Sequence, residues 1–283
     1  MATYNGERFI GQQIDSILQQ KHVEVTLIIS DDRSSDRTPE ILNQYSKQYS
    51  QVIVSVNQNT RGSAKNFYSL ITHINANDYD YVALSDQDDV WPEHRISRAI
   101  DQLNNHHADG YSSDVIAVDE QLKVKKLIKK SYAQKKYDFI FESAGPGCSF
   151  VLTKKLFHFI QTKIDHKMIN FSFHDWLIYA LARSHDYRWL IDDAPNLFYR
   201  QHAKNQLGAN DGWLAFTRRV QKVLSGQYRR NLVDLHCIIY SGQQPLTLAQ
   251  IGFYLFYIYY TRRKFINCLQ NFLLLMIISF QKK

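Results

Sequence analysis

From residue 1 to about residue 200, short β-branched or aromatic runs alternate with segments of helical period, switching roughly every 20 to 30 residues. That alternation specifies an α/β domain, in which helices cover a sheet whose strands are buried. The first helical stripe, Phe9, Ile10, Ile14, Ile17 and Leu18, lies within Glu7 to Gln20, with Asn5 placed to cap it. The run from Val23 to Ser30 reads as a strand. It stops at Asp31-Asp32-Arg33-Ser34-Ser35-Asp36, a polar turn suited to open the helix carrying Ile41, Leu42 and Tyr45. Val52 to Val56 is a further strand, running into Asn59-Thr60-Arg61-Gly62 and a helix through Phe67, Leu70, Ile71 and Ile74. Tyr81 to Leu84 is another. It ends in Ser85-Asp86-Gln87-Asp88-Asp89-Val90-Trp91-Pro92, and Pro92 suits the first turn of the helix containing Ile96, Ile100 and Leu103.

Farther on, Val115 to Val118 reads as a strand, Lys123 to Lys136 as a basic, exposed segment, and Gly145-Pro146-Gly147 as a turn entering the strand around Val151. A helix near Trp176 to Arg183 and strands at Tyr187 to Ile191 and Asn196 to Tyr199 complete this part. Ala2-Thr3-Tyr4-Asn5-Gly6 looks like the loop after a first strand, yet only Met1 precedes it. Either that strand is absent or the chain begins late. After Gly212 the pattern is helical only, so the expected division is an α/β domain over 1–208 and a helical extension over 209–283.

Composition removes several classes. With 45% hydrophobic and 22% charged residues, the chain can bury a core and is not globally disordered. Cys148, Cys237 and Cys268 are odd in number and too scattered for a zinc site or a disulfide-stapled secreted domain, which points to a reducing compartment. The formal charge of +7 suits an anionic partner, but no nucleic-acid module is recognisable and the strand-end turns are acidic. Residues 251–260 and 272–280 are apolar, yet each falls short of the roughly 18 residues a spanning helix needs. Joining them would bury Arg262-Arg263-Lys264 in hydrocarbon, so the extension is read as docking on an anionic membrane surface. Packing onto the domain, or pairing in a homodimer, is the rival.

In an open α/β sheet, ligands gather outside the carboxyl ends of the strands. Three strand ends deliver Asp31-Asp32, Asn59 to Gly62, and Asp86-Gln87-Asp88-Asp89 to that side. Three carboxylates within four residues repel one another unless a cation neutralises them, and Mg2+ or Mn2+ prefers carboxylate oxygen. A lone D-x-D turn is more often a solvated helix cap.

The order of the motifs shifts that balance. Ala2 to Gly6, Ser30 to Thr38 and Leu84 to Asp89 resemble, in order and spacing, those of family 2 glycosyltransferases. Gly145-Pro146-Gly147, His174-Asp175-Trp176 and Phe198-Tyr199-Arg200-Gln201-His202 resemble its bacterial rhamnosyltransferase-like branch. The resemblance spans residues 2 to 208. It implies a GT-A fold, with a Rossmann-like, mostly parallel sheet flanked by helices, a nucleotide-diphospho-sugar donor, Mg2+ or Mn2+, and inversion at the anomeric carbon.

Carried onto this sequence, the resemblance implies that Thr3, Tyr4 and Asn5 line the nucleotide, with Tyr4 against the base. It implies that Asp32 accepts a hydrogen bond from a pyrimidine imide and that Arg61, with Lys65, reaches the diphosphate. Asp88 is the implied direct metal ligand, Asp86 lies nearer the ribose or the metal's water shell, and His202 completes the site. Gly147 lets backbone approach donor or acceptor. Trp176 is either a sugar platform or a core residue, and Asp175 is the implied general base, with a plain helix cap as its rival. The implied donor is dTDP-β-L-rhamnose, the product α-linked, and the acceptor a lipid-linked saccharide or other polysaccharide intermediate at the cytoplasmic membrane face. If the first strand is missing, a non-catalytic donor-binding or assembly subunit is the alternative. A nucleotidyl or phosphoryl transferase would need a basic loop or lysine close to the first strand, which the sequence lacks.

Overall fold

β-branched side chains, buried in the central strand and partly exposed in its neighbour at Ile53 and Val56, build the first layer of the computed structural model, which describes residues 1–58, 61–164, 171–202, 227–240, 248–264, 267–268, 271–272 and 275–276. β1 is Ala2–Thr3, β2 Leu27–Asp31 and β3 Val52–Val56. β2 pairs in parallel with β3, Leu27 opposite Val52 and Asp31 opposite Val56, and in parallel with β1, Thr3 opposite Asp31. The first strand is thus present, as two residues paired with β2, and the incomplete pocket of a non-catalytic subunit loses its premise.

The Ala2 N–H donates to Ser85 O (3.3 Å), joining this sheet to a second one. Its strands are β4 Tyr81–Ala83, β5 Gly110–Ser113, β8 Val151–Thr153 and β9 Trp189–Asp192, in the order β4-β8-β5-β9. β8 runs antiparallel to both neighbours, while β5 and β9 are parallel. A third sheet places β10, Phe198–Arg200, parallel to β6, Val115–Val118, with β7, Val124–Ile128, antiparallel on the edge. β7 lies inside the stretch expected to be a plain basic segment. Its lysines mark a solvent-facing edge strand, where charge discourages further pairing.

Helices cover both faces. In α1, Ile10–Leu18, residues Ile10, Ile14 and Ile17 recur at helical spacing and are at most 1% exposed. Truncating such a side chain to alanine costs about 2–5 kcal/mol. Asn5 does not cap α1: Phe9 holds the cap position with no side-chain bond, and Asn5 Oδ1 instead accepts the Ser35 N–H (2.8 Å). α2, Thr38–Gln48, opens as expected at Asp36, whose carboxylate accepts the Thr38 N–H (3.0 Å). α3 is Ser63–His73. α4, Arg95–Asn105, starts later than Pro92, whose carbonyl accepts the Arg95 N–H.

α5 Asp138–Phe141, α6 Lys154–Lys163 and α7 His174–Ser184 follow. One core cluster joins α3, α6 and α7 through Phe67, Phe157 and Leu181; the other joins α1, α2 and α4 through Ile14, Leu42 and Ala99. The division expected at 208/209 lies outside the described residues. Beyond it, α8 Gln227–Ile239 and α9 Leu248–Phe256 pack onto the first cluster with Leu232, Leu235, Ile251 and Tyr254. Among the described residues no helix is long and apolar enough to cross a membrane.

Candidate active site

The turn after β2 is fully engaged. Asp31 accepts the Ser34 hydroxyl and N–H (2.5 and 3.0 Å), and Asp32 accepts Asn57 Nδ2 and the Gly62 N–H (both 2.8 Å). Gly62 sits at φ +128°, a conformation that L side chains rarely adopt, so the bond to Asp32 depends on glycine there. The Asp32 N–H donates to Thr3 O (2.8 Å), which brings the first loop alongside. Tyr4 is 47% exposed, with the Arg61 guanidinium 5.8 Å from its ring centre. Asn57 and Gly62 were not singled out by sequence reasoning, since their contacts to Asp32 span 25 and 30 residues.

Gln87 ties this loop to the turn after β4. Its Oε1 accepts the Thr3 hydroxyl (2.5 Å) and the Tyr4 N–H (2.8 Å), and its Nε2 donates to Tyr4 O (3.1 Å). Gly6 also crowds it: a Cβ there would stand 2.5 Å from Gln87 Oε1. The middle residue of Asp86-Gln87-Asp88 is thus the clamp between two motifs, a role its local sequence does not disclose.

The second acidic turn is under-neutralised. Burial first, then the charges of Asp88 and Asp175, push Asp86 up to about 7. Asp89 is raised too, by burial and by Asp88 and Asp86; its Oδ1 accepts the Arg200 N–H (3.0 Å) while its buried Oδ2 has no partner among the described residues. Asp88 Oδ2 lies 2.7 Å from His202 Nε2. Arg200 holds the turn from behind, its Nε donating to Asp88 O (2.7 Å) and its Nη2 to Gln12 Oε1 (2.6 Å).

Asp86, Asp88 and His202 offer two hard carboxylates, which suit Mg2+ or Mn2+, and a borderline imidazole nitrogen, which Mn2+ accepts more readily. Asp86, Asp89 and the Cys148 thiol also present atoms within 4.8 Å of one another. That group fits a hard cation poorly, because burial raises the Cys148 pKa and keeps it a neutral thiol.

Asp175 begins α7, its Oδ1 accepting the following Trp176 N–H (2.8 Å). Its charge helps to raise Asp86, and Cys148, the residue after Gly147, presents its thiol within 4.8 Å of oxygens of Asp86 and Asp89. Gly147 permits the approach: a Cβ on it would stand 2.6 Å from His174 Nε2 and 3.1 Å from Asp175 Cβ. His174 stacks on Phe67 with ring centres 3.9 Å apart, and burial lowers its pKa.

Trp176 is not brought into this space. It is 8% exposed, donates its indole N–H to Phe139 O (2.9 Å) and packs against Phe171, Phe173 and Tyr228. The core alternative describes it. Two surface depressions, of about 610 and 500 Å³, lie beside His22 and Arg98 and beside His158 and Tyr187, on the helical flanks and away from these loops.

Comparison with known proteins bears on the family and the fold. The Glycosyl transferase family 2 profile matches residues 1–164. The dTDP-rhamnosyl transferase RfbG of Shigella flexneri is 41% identical over 241 residues, covering 83% of each chain. Among solved structures, TarS 1-349 of S. aureus in complex with UDP superposes with a TM-score of 0.58 at 15% identity, over 83% of this chain and 64% of that one. Mannosyltransferase PcManGT from Pyrobaculum calidifontis, in complex with GDP-Man and Mn2+, gives a TM-score of 0.52 at 12% identity, over 98% and 83%. At such identities these two structures speak for the fold alone, the GT-A arrangement of a mostly parallel sheet flanked by helices. The matched profile and the RfbG relationship carry the assignment: this chain belongs to glycosyl transferase family 2 and is a glycosyltransferase.

Proposed function

We propose that the chain transfers L-rhamnose from dTDP-β-L-rhamnose, with inversion, to a hydroxyl of a lipid-linked saccharide or other cell-surface polysaccharide intermediate. The observation that carries this reading is the Gly147-Cys148 turn, which lies against Asp175 at Gly147 and against Asp86 at Cys148, beside the Thr3–Gln87 clamp. The rhamnosyl donor is taken from the relationship to RfbG.

In this reading the exposed Tyr4 ring meets the thymine, and Asp32, held by Asn57 and Gly62, accepts the thymine imide N–H. Thr3 and Asn5 border the nucleoside, and Arg61, beside Tyr4, reaches the diphosphate. Asp88 and His202, with Asp86, would hold Mg2+ or Mn2+, which when bound neutralises the diphosphate as it departs. Asp175 takes the proton from the acceptor hydroxyl while that oxygen bonds to C1 and the C1–O bond to phosphate breaks. Its own carboxylate receives only a backbone N–H among the described residues, leaving lone pairs for that proton.

The same reading places the enzyme on the inner face of the cytoplasmic membrane. Arg262 and Arg263, expected to face lipid, are drawn instead to Glu142 (3.9 and 3.3 Å). What remains outside is aromatic and lysine-rich: Phe256 is 81% exposed, Tyr259 and Tyr260 are exposed beside it, and Lys135 Nζ lies 3.6 Å from the Tyr259 ring centre. Rings and lysines together suit an anionic interface.

A panel of nucleotide sugars with Mg2+ or Mn2+, scored by nucleoside diphosphate release, tests the donor. Release of dTDP from dTDP-rhamnose above all others is the expected result; preference for a UDP- or GDP-linked sugar would contradict it.

A further inference from the structure

Lys130 follows the edge strand β7. Its backbone N–H and that of Ser131 donate to Asp114 Oδ1 (2.6 and 2.8 Å), which folds the chain back toward the Gly145-Pro146-Gly147 turn. A Cβ on Gly145 would stand 3.7 Å from Lys130 Cγ, just as one on Gly147 would stand 3.1 Å from Asp175 Cβ. Lys130 and Asp175 therefore flank one turn, and its two glycines place no side chain between them and the turn.

The ammonium is poorly compensated. Among the described residues no carboxylate pairs with it, because Glu142 faces Arg263 and Arg262 instead. Glu142 and Asp175 act on it only at longer range, and they are opposed by Arg263 and Lys264. Burial, the largest influence, lowers its pKa. A half-buried cation with no carboxylate paired to it costs stability unless an anion completes it. Lysine meets phosphate as a point charge, without the fixed fork that arginine brings.

We propose that Lys130 recognises a phosphate ester on the acceptor, held on the Asp175 side of the Gly145-Pro146-Gly147 turn while the acceptor hydroxyl is deprotonated. This rests on the glycosyl-transfer reading above. It adds a reason for the enzyme to choose a diphosphate-linked saccharide over a neutral one. The donor's own diphosphate is assigned to Arg61 and to the cation that Asp86, Asp88 and His202 would hold, so dTDP affinity reports it separately from the acceptor's phosphate.

The test uses the full chain with Mn2+, dTDP-rhamnose and two acceptors with the same saccharide, one joined to a short alkyl chain through a diphosphate and one a neutral alkyl glycoside. Wild type, Lys130→Met and Lys130→Arg are compared by kcat/KM, with dTDP affinity measured by calorimetry. In Lys130→Met the preference for the diphosphate acceptor is expected to fall about tenfold or more, the loss of a charge-assisted contact, with Lys130→Arg restoring part of it. Equal losses on both acceptors, an unchanged preference, or a matching fall in dTDP affinity would each overturn the inference. Failure of the wild type to bind dTDP or to use dTDP-rhamnose would instead overturn the donor reading beneath it.

Discussion

In the turn after β2, Asp31 and Asp32 have a donor for each carboxylate oxygen, supplied by Ser34, Asn57 and Gly62. In the turn after β4, Asp86 is half-buried and Asp89 fully buried, Asp86 is pushed up to about 7, and one Asp89 oxygen has no partner among the described residues. Both turns follow a strand and both are acidic, although β2 is paired in parallel and β4 antiparallel. What separates them is the supply of N–H and O–H groups around each carboxylate. A satisfied carboxylate is held in one orientation, ready to read a single complementary donor. A crowded, under-satisfied set is costly as it stands and is relieved by a cation. Composition alone does not distinguish recognition from charge neutralisation; the surrounding donors do.

The largest expected effect separates Asp175 from the second turn. Asp175→Asn should lower turnover about a thousandfold while leaving dTDP affinity unchanged, the loss typical of a removed general base. Asp88→Asn should lower turnover by as much and, in addition, make dTDP binding indifferent to Mn2+. If both variants lost nucleotide affinity alike, the division of labour between the helix start and the turn would fail. Calorimetry with and without Mn2+, beside steady-state rates, makes the distinction.

A smaller effect is expected from the first turn. Asp32→Asn should weaken dTDP about 10- to 100-fold, the range for a hydrogen bond to a charged group, with kcat close to wild type. A collapse in kcat would mean that this turn serves the chemistry rather than recognition.

The smallest effect concerns the histidine beside the base. Burial lowers the His174 pKa in the fold, whereas the unfolded chain titrates near 6.5. Above that value the fold loses nothing by refusing the proton; as pH falls below it, the unfolded state takes up a proton that the native state does not, and stability declines. Urea unfolding between pH 7.5 and 5 should show this slope in wild type and a shallower one in His174→Asn. Identical slopes would mean that His174 does not contribute.

Much of the fold is legible because its signals are local. The stripe of Ile10, Ile14 and Ile17, the strand read over Val23 to Ser30 and found at Leu27–Asp31, and the acidic turns announce themselves within a few residues. The motif order also carries the positions of Asp32, Asp88, Asp175 and His202. What escapes is long-range. Asn5 looks like a cap for α1 but bonds Ser35, 30 residues away. Gln87 reads as a spacer between aspartates but clamps Thr3 and Tyr4, and Arg200, fully buried, grips the carbonyl of Asp88. β7 hides in a lysine-rich stretch because an edge strand can be polar and still pair on one side. Trp176 sits within a site motif, yet its side chain is turned into the core.

The central contrast is tested most directly by anomalous scattering from crystals grown with Mn2+ and dTDP. The account predicts a manganese peak bounded by Asp88 and His202, with the thymine imide on Asp32. A peak among Asp86, Asp89 and Cys148, or a base bound away from Asp32, would contradict it.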